Sequence, residues 1–165
     1  MTISLIAAVD SKNGIGLNGK MPWGHIKEDM EFFRKTTTGC TVIMGRCTFE
    51  SLGNKTLPDR RNIVISSTPN LVYYSRYQNL FYEFSLEDAL VKLLREKEIF
   101  IIGGESIYKR AIYYADTIYL THIDKDYNCD RFFPNVNEDI FRKEELKNFA
   151  HDSVNVRICK YTKKL

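Results

Sequence analysis

The sequence lacks the features that mark several large classes of protein. No stretch of its 165 residues is dominated by Gly, Ser or Pro, and no long run carries charge of one sign. The four cysteines, at positions 40, 47, 129 and 159, are widely spaced and include no C-x-x-C pair. Disordered tails, linkers, zinc ribbons and thioredoxin-type redox sites are therefore not expected. We predict free thiols in a reducing compartment and no metal site.

Signals for membranes, export and nucleic acid are also missing. The apolar run at residues 3–9 is too short to cross a bilayer, and it has neither a basic leader segment nor a small-residue cleavage site. The net charge is only +3, and the lysines and arginines form no stripe. We therefore expect a cytoplasmic monomer that binds small acidic ligands rather than membranes or nucleic acid.

The remaining composition suits one compact domain spanning residues 1–165. An apolar fraction of 44% is enough for one sizeable core. Runs of β-branched and aromatic residues predict strands at 3–9, 41–44, 62–66, 80–84, 99–102, 117–123 and 154–161. Helical periodicity predicts helices at 26–36, 46–52, 86–95 and 106–114, the third capped by Ser85. This alternation predicts an α/β fold: a mostly parallel central sheet with helices on both faces, its last two runs closing as a C-terminal antiparallel hairpin.

One carboxylate falls on the apolar side of the first predicted helix. The apolar arc of that helix contains Ile26, Met30, Phe32 and Phe33. At about 100° per residue Asp29 lies inside the arc, whereas Glu28 lies just outside it. Burial among apolar groups raises the pKa of an acid, so Asp29 is a candidate proton carrier near neutral pH. The alternative is an acid favoured only by the dipole at the helix N-terminus.

Three turns that follow predicted strands have the composition of phosphate sites. Gly103-Gly104 leads from a strand into a helix, which lets backbone N–H groups approach a pyrophosphate. Arg46 and Thr48 open another helix after a strand, and a guanidinium fork suits phosphate oxygens. Ser66-Ser67 follow a third strand. Together the turns suggest a dinucleotide such as NADPH, although each alone is compatible with an ordinary tight turn.

A glycine-rich segment at residues 13–19 lies between the first strand and Trp23, the only tryptophan of the chain. Three glycines within six residues let this loop move or approach a ligand closely. We predict that the loop gates the site, the alternative being an ordinary flexible surface loop.

These motifs occur in a fixed order along the chain. They are residues 6–9, Gly14-Ile15-Gly16, Asn18-Gly19, Pro22-Trp23, residues 42–46, Leu57-Pro58 with Arg60, residues 102–104, Tyr108 and residues 119–121. In this order they resemble the dihydrofolate reductase family over essentially the whole chain. The resemblance implies an enzyme that transfers a hydride from NADPH to dihydrofolate, and so supplies tetrahydrofolate for one-carbon metabolism and thymidylate synthesis.

The resemblance also implies roles for individual residues. Asp29, Trp23 and Thr121 would be catalytic, with Asp29 holding the pterin and supporting proton delivery to N5. Arg60 would pair with the glutamate carboxylate of folate, which suits a planar fork. The substrate pocket would be lined by Ile6, Ala7, Met30, Phe33, Ser51, Leu52, Leu57, Arg60 and Ile102. NADPH would be bound by Ala8, Ile15, Gly16, Gly19, Met21, Gly45, Arg46, Cys47, Thr48, Ser66, Ser67, Gly103, Gly104, Glu105, Ser106, Ile107 and Tyr108.

The spacing of the acid departs from the pattern of many bacterial members of the family. Asp29 lies six residues after Trp23, as in vertebrate and protozoan members, whereas many bacterial members place the acid at five. Glu28 occupies the five-residue position here. The phase of the helix favours Asp29 over Glu28.

Two further positions also depart from the family pattern. Asp59 replaces a common glycine before Arg60, and aspartate tolerates the left-handed conformation of such a turn better than most residues. Cys47 stands where related chains often carry a basic residue beside the cofactor phosphate. Arg46 is then left with more of the phosphate contact, and the resemblance implies a milder preference for NADPH than usual.

Three other functions remain open from the sequence. A pyrimidine reductase of riboflavin synthesis would share the fold and the NADPH site, but it leaves Asp29 and Arg60 without a role. A non-catalytic nucleotide-binding protein would not need Asp29, Trp23 and Thr121 to be intact. A nucleic-acid-binding module has the least support, since neither a basic face nor an aromatic platform is evident.

Overall fold

A computed structural model describes residues 1–165 and contains ten strands and five helices. In chain order they are β1 (Thr2–Val9), β2 (Gly14–Gly16), α1 (Lys27–Thr37), β3 (Thr41–Gly45), α2 (Arg46–Ser51), β4 (Arg61–Ile65), α3 (Leu71–Arg76), β5 (Leu80–Glu83), α4 (Leu86–Lys92), β6 (Glu98–Ile101), α5 (Glu105–Ala111), β7 (Thr117–Ile123), β8 (Arg131–Phe132), β9 (Phe141–His151) and β10 (Val154–Lys163). Every predicted strand and helix is present, with its ends shifted by at most three residues.

Eight strands form one sheet in the order β5-β4-β3-β6-β1-β7-β10-β9, and β2 pairs separately with β8. Neighbours from β5 to β7 are parallel, whereas β10 is antiparallel to both β7 and β9. The mostly parallel α/β fold is thus confirmed. The predicted antiparallel pairing of the last two runs is confirmed, since β7 pairs with β10. Strand β9, which the sequence did not predict, pairs with the other side of β10.

The composition of β9 explains why it was not predicted. This strand has 11 residues, and the side chains at 142–148 are all exposed. A strand at the edge of a sheet with both faces in water does not need alternating apolar residues. The period-two signal that identifies a half-buried strand is therefore missing from β9.

Alternate residues of the central strands build two separate cores. Leu5, Ile43 and Ile101 are fully buried and pack against α4 and α5 on one face of the sheet. Val42 and Phe100 face the opposite side, where α1, α2 and α3 contribute aromatic side chains. Burying one such side chain stabilises the fold by about 1.5–3 kcal/mol. Because both faces are covered, these strands appear in the sequence as continuous apolar runs.

Side-chain caps fix the starts of two helices. Ser85 Oγ accepts the Asp88 N–H over 3.1 Å at the start of α4, as predicted. Asn70 Oδ1 accepts the Val72 N–H over 3.0 Å and begins α3, which the sequence patterns did not predict. Helix α3 has six residues and no buried side chain, so its apolar periodicity is too short to detect. None of the five helices has both the length and the apolar character required to cross a membrane.

The parallel strands end at one edge of the sheet, where the predicted ligand-binding turns gather. Strand β1 leads into the glycine-rich loop at residues 13–19, and β3 leads directly into α2. Strand β4 leads into Ser66, and β6 leads into Gly103. Ligands of open α/β sheets bind beyond the carboxyl ends of the strands. The candidate site therefore lies at this edge of the sheet.

Candidate active site

Asp29 and Thr121 form a hydrogen bond between helix and sheet. Asp29 lies in the first turn of α1, and Thr121 lies on β7 beside Ala8 of β1. The Thr121 hydroxyl donates to Asp29 Oδ1 over 2.5 Å. Burial raises the pKa of Asp29 above its ordinary value, against the lowering effect of the Thr121 hydroxyl. The carboxyl therefore holds its proton closer to neutral pH than an exposed aspartate does.

An apolar cluster joins α1 to the centre of the sheet. Ile6 of β1, Phe33 of α1 and Ile102 after β6 pack in this cluster together with Leu57. Ala7 does not join them, because neighbouring strand residues point to opposite faces and the Ala7 methyl packs against the core beneath α4 and α5. The Ala7 methyl therefore lies on the opposite face of the sheet from the Ile6 side chain, and the assignment of both residues to the pocket stays a prediction.

Three other predicted pocket residues lie at the surface. Met30 follows Asp29 on α1 and is 43% exposed, and Leu52 at the end of α2 is 37% exposed. Ser51 donates its hydroxyl to the Thr48 carbonyl over 2.6 Å, which ties the end of α2 to its own preceding turn. The two apolar side chains present surface that an aromatic ligand would cover.

Trp23 fixes the position at which α1 begins. Its side chain is 9% exposed and packs with Ile26 and Ile123. Ile26 immediately precedes α1, so the cluster sets the placement of the first helical turn and of Asp29 within it. Ala8 packs against the same cluster from β1. The tryptophan thereby connects the end of the glycine-rich loop to the helix that carries the acid.

Arg60 presents a buried guanidinium that makes no ion pair within the chain. The residue is 8% exposed, and its Nε donates to the Pro58 carbonyl over 2.8 Å while Nη1 donates to Thr37 Oγ1 over 3.0 Å. Burial lowers the pKa of the guanidinium, and the charge of Asp59 only partly offsets this. Asp59 has φ of 60°, the left-handed conformation expected for a residue in place of glycine. A buried cation with unused N–H groups suits a carboxylate partner.

Three glycines from neighbouring strand ends form a tightly packed cradle. The Gly45 N–H donates to the Gly103 carbonyl over 2.8 Å, which joins the end of β3 to the turn after β6. A Cβ added to Gly45 would lie 3.3 Å from Ile107 Cγ1, and one added to Gly104 would lie 3.4 Å from Thr48 Oγ1. No side chain caps the first N–H groups of α2 or α5. These uncapped N–H groups are donors of the kind that phosphate oxygens accept.

Tyr108 links this cradle to the apolar cluster. Its hydroxyl donates to the Ile6 carbonyl over 2.7 Å, and its ring lies 4.7 Å from that of Phe133, centroid to centroid. Gly103 has φ of 125°, and a Cβ there would come within 3.3 Å of the Tyr108 ring. Burial raises the pKa of the phenol, so the hydroxyl stays protonated and keeps donating. The side chain therefore holds β1 and the cradle in fixed relation.

A cavity of ≈ 350 Å³ opens beside α2 and the end of β4. Its lining consists of Arg46, Phe49, Glu50, Asn54, Ser66, Thr68, Asn70, Tyr73 and Tyr82. Arg46 and Ser66 were predicted to bind the cofactor, whereas Ser67 is exposed and does not line the cavity. Asn70 and Tyr73 were not predicted, although an asparagine before an apolar run is an N-cap signal that would have indicated α3.

Asp10 is a buried acid that no motif singled out. It is 2% exposed, and its carboxylate accepts the N–H groups of Lys12, Gly14 and Tyr127 over 2.9, 2.7 and 3.0 Å. Burial alone would raise the pKa of Asp10, but these donors outweigh burial and hold the pKa below its ordinary value. The carboxylate thereby anchors the start of the glycine-rich loop to the segment before β8. A charged residue directly after an apolar strand was the available signal.

The remainder of the glycine-rich loop is held at its start and exposed at its end. The Asp130 N–H donates to the Gly16 carbonyl over 2.9 Å, and Ile15 packs against the core. Gly19 and Met21 are exposed, and Gly19 has φ of 78°. The loop therefore consists of a fixed part and a part with little burial, and its role as a gate stays a prediction.

The other predicted cofactor residues differ in where their side chains lie. Cys47 and Ser106 are exposed on the first turns of α2 and α5. Glu105 is half-buried, and its carboxylate accepts the Phe132 N–H of β8 over 3.2 Å. The side chain of Glu105 is therefore bonded to β8, and only the backbone of Glu105 is available to a ligand at the glycine cradle.

Two proteins of known name are similar in sequence to almost the whole chain. The dihydrofolate reductase of Buchnera aphidicola subsp. Acyrthosiphon pisum is 40% identical over 153 residues, covering 90% of this chain and 91% of the relative. The dihydrofolate reductase of Bacillus subtilis is 37% identical over 153 residues, covering 93% of this chain and 88% of the relative.

The fold and the family model agree with these sequence matches. The solved structure of dihydrofolate reductase from Enterococcus faecalis, complexed with NADP(H) and RAB-propyl, matches with a TM-score of 0.82 at 28% identity. That match covers 99% of this chain and 97% of the other. The family model for dihydrofolate reductase matches residues 2–164. The chain therefore belongs to the dihydrofolate reductase family.

Proposed function

We propose that the chain reduces 7,8-dihydrofolate to 5,6,7,8-tetrahydrofolate with NADPH as the reductant. Membership of the family supports the reaction, and the Enterococcus faecalis relative was solved with NADP(H). The observation that carries the proposal is the half-buried Asp29 carboxyl, bonded to Thr121. A carboxyl with a raised pKa suits a reduction that needs a proton as well as a hydride.

The residues of α1 and β7 would hold and protonate the pterin. Bound NADPH supplies the hydride that adds to C6. Asp29 accepts N–H groups of the pterin and supports delivery of a proton to N5, while Thr121 fixes the orientation of the carboxyl. The apolar cluster around Ile6 and Phe33 limits access of water, so negative charge on N5 is neutralised by the proton rather than by solvent.

Arg60 would bind the far end of the substrate. Its guanidinium is buried, makes no ion pair and retains N–H groups that no protein atom accepts. The glutamate carboxylate of dihydrofolate supplies the missing negative charge. Because that carboxylate does not react, the contact has the same strength throughout the reaction and contributes to binding rather than to the chemical step.

The cofactor would bind across the strand ends. The glycine cradle would bind the pyrophosphate through the uncapped N–H groups at the starts of α2 and α5. Arg46 and Ser66 would bind the 2′-phosphate in the cavity beside α2. Tyr108 would lie beside the nicotinamide. The exposed end of the glycine-rich loop would close over the bound cofactor.

We also infer that the enzyme acts as a cytoplasmic monomer of one domain. All four cysteines are free, which suits a reducing compartment. Both proposed ligand regions are built by one chain around one continuous sheet, so neither needs a second subunit. The proposed chemistry involves only small-molecule partners.

A turnover assay with the purified protein tests the function. Oxidation of NADPH, followed by its absorbance, should depend on dihydrofolate and should yield tetrahydrofolate in equal amount. The pyrimidine precursor of riboflavin should not be reduced. Reduction of that precursor without reduction of dihydrofolate would assign the chain to riboflavin synthesis, and binding of NADPH without turnover would identify a non-catalytic nucleotide-binding protein.

A further inference from the structure

The lining of the cavity beside α2 carries formal charges that cancel. Arg46 is the only cation and Glu50 the only anion among its nine residues. The two side chains are four positions apart on α2, and Arg46 Nη1 lies 2.9 Å from Glu50 Oε1. They are 56% and 49% exposed, so the ion pair is screened by water and is readily exchanged.

A phosphate that enters this cavity meets the carboxylate together with the guanidinium. The neutral polar groups are partly committed, because Ser66 Oγ already accepts the Thr68 N–H and Asn70 Oδ1 already caps α3. Arg46 is therefore the only full positive charge that faces the phosphate. Arg46 bonds to Glu50 through Nη1 alone. A phosphate that binds Nη1 therefore competes with Glu50 for that atom, and a phosphate that binds Nε and Nη2 lies beside the negative charge of Glu50.

We propose that Glu50 is a specificity-determining residue that weakens the discrimination of NADPH from NADH. The inference rests on the proposed function, since it requires that the phosphate present only in NADPH binds in this cavity. The Glu50 carboxylate competes with that phosphate for Arg46 and also repels it. NADH has no phosphate at this position, so its affinity does not depend on Glu50.

The test compares equilibrium dissociation constants of NADPH and NADH, measured by calorimetry on the intact protein. Glu50→Gln keeps the size of the side chain and removes its charge. NADPH should bind about threefold to tenfold more tightly, as expected when one like charge is removed near a partly exposed phosphate. The affinity for NADH should change by less than about twofold, and the salt dependence of NADPH binding should become steeper.

Three further variants separate the charge of Glu50 from other effects. Glu144→Gln removes the same charge from β9, at the opposite edge of the sheet, and should leave both constants unchanged. Glu50→Ala cannot bond to Arg46 and should also tighten NADPH binding. In an Arg46→Ala background, Glu50→Gln should give a smaller gain, because no guanidinium is left to compete for.

The possible results distinguish this inference from the function on which it rests. Unchanged or weaker NADPH binding in both Glu50→Gln and Glu50→Ala would overturn it. Glu50 would then have no effect on NADPH binding, or would favour binding by holding Arg46 in place. Equal tightening of NADPH and NADH would also overturn it, because the effect would not depend on the phosphate. Failure of the wild-type protein to bind either cofactor would overturn the proposed function instead.

Discussion

The hydroxyl of Thr121 and the carboxyl of Asp29 meet over 2.5 Å although the two residues are 92 positions apart. Their bond joins α1 to β7 beside the end of β1. Two opposing effects act on the pKa of Asp29: burial raises it and the hydroxyl lowers it, with burial the larger. The protein thus holds one acid in a state from which it exchanges a proton more readily near neutral pH than an exposed aspartate does.

Asp29→Asn should slow hydride transfer at pH 7 by about 10²-fold or more, the usual scale of general acid–base catalysis, while NADPH affinity barely changes. The amide keeps the shape and a hydrogen-bonding oxygen but loses the ionisable carboxyl. Acidification should partly restore the rate, because dihydrofolate protonated in water binds already activated. Single-turnover measurements across pH check this. Glu28→Gln is the matched control and should have little effect; the reverse pattern would assign the role to Glu28.

The same Asp29→Asn variant should be more stable than the wild type at pH 7, by about 1 kcal/mol. The pKa of Asp29 is raised in the folded state, so the ionised carboxylate destabilises the fold above that pKa. The difference should shrink as the pH falls through the folded-state pKa and vanish below the unfolded-state value of about 3.9. Chemical unfolding at a series of pH values measures it. A wild type more stable than the variant at pH 7 would contradict the burial argument.

Thr121→Val should raise the pKa of Asp29 further, because it removes the group that opposes the effect of burial. The pH dependence of hydride transfer should therefore shift to higher pH, and the free energy of unfolding should fall by about 1 kcal/mol. Thr117→Val, at a buried threonine on the same strand, is the control and should leave the pH profile in place. An unshifted profile for Thr121→Val would show that the hydrogen bond does not set the titration of Asp29.

Arg60→Ala should raise the KM for dihydrofolate by roughly tenfold or more and change kcat little, the result of losing a charge-assisted contact of about 1.5–3 kcal/mol. Steady-state kinetics with dihydrofolate, and with an analogue that lacks the glutamate, measure the two quantities. The KM and kcat for the analogue should change little on this substitution. Arg61→Ala is the matched control, because that neighbouring guanidinium is exposed and pairs with Glu96 over 3.3 Å. Equal effects on both substrates would indicate a folding defect.

Gly14→Ala should destabilise the protein by about 1–3 kcal/mol, the range for overpacking a tight contact. An alanine Cβ would lie 2.4 Å from Cys129 Cβ, closer than carbon atoms approach without displacement. Adding Cys129→Gly should restore part of the loss, since it removes the two cysteine atoms but leaves Asp10 Oδ1 at 2.8 Å. Gly16→Ala meets only a carbonyl oxygen at 3.4 Å and should cost less. Thermal unfolding of the wild type, the three single variants and the double variant compares them, and additive effects of Gly14→Ala and Cys129→Gly would exclude a direct clash.

Much of the fold could be predicted because its strands are buried on both faces. The run at residues 41–45 is continuous and apolar, and it becomes β3 between two cores. Asp29 could be singled out because helix geometry places it on a known side of α1. Apolar periodicity did not predict β9 or α3, because elements with little burial do not need regularly spaced apolar residues. Strand β9 is exposed along most of its length, and α3 has no buried residue.

Contacts between distant residues could not be predicted in the same way. The carboxylate of Asp10 is held by the N–H of Tyr127, which no local pattern relates to it. The pairing of Glu50 with Arg46 has a common helical spacing, but only the position of α3 and β5 shows that both line a cavity.

The long charged strand β9 has a consequence for the behaviour of many copies of the chain at once. It lies at one end of the sheet and leaves one side of its backbone unpaired, and β5 at the other end has only four residues. Its exposed residues include Arg142, Lys143, Glu144, Glu145 and Lys147. Another copy that extended the sheet here would have to strip water from these charges. The strand therefore disfavours edge-to-edge aggregation and fibre growth when the protein is abundant.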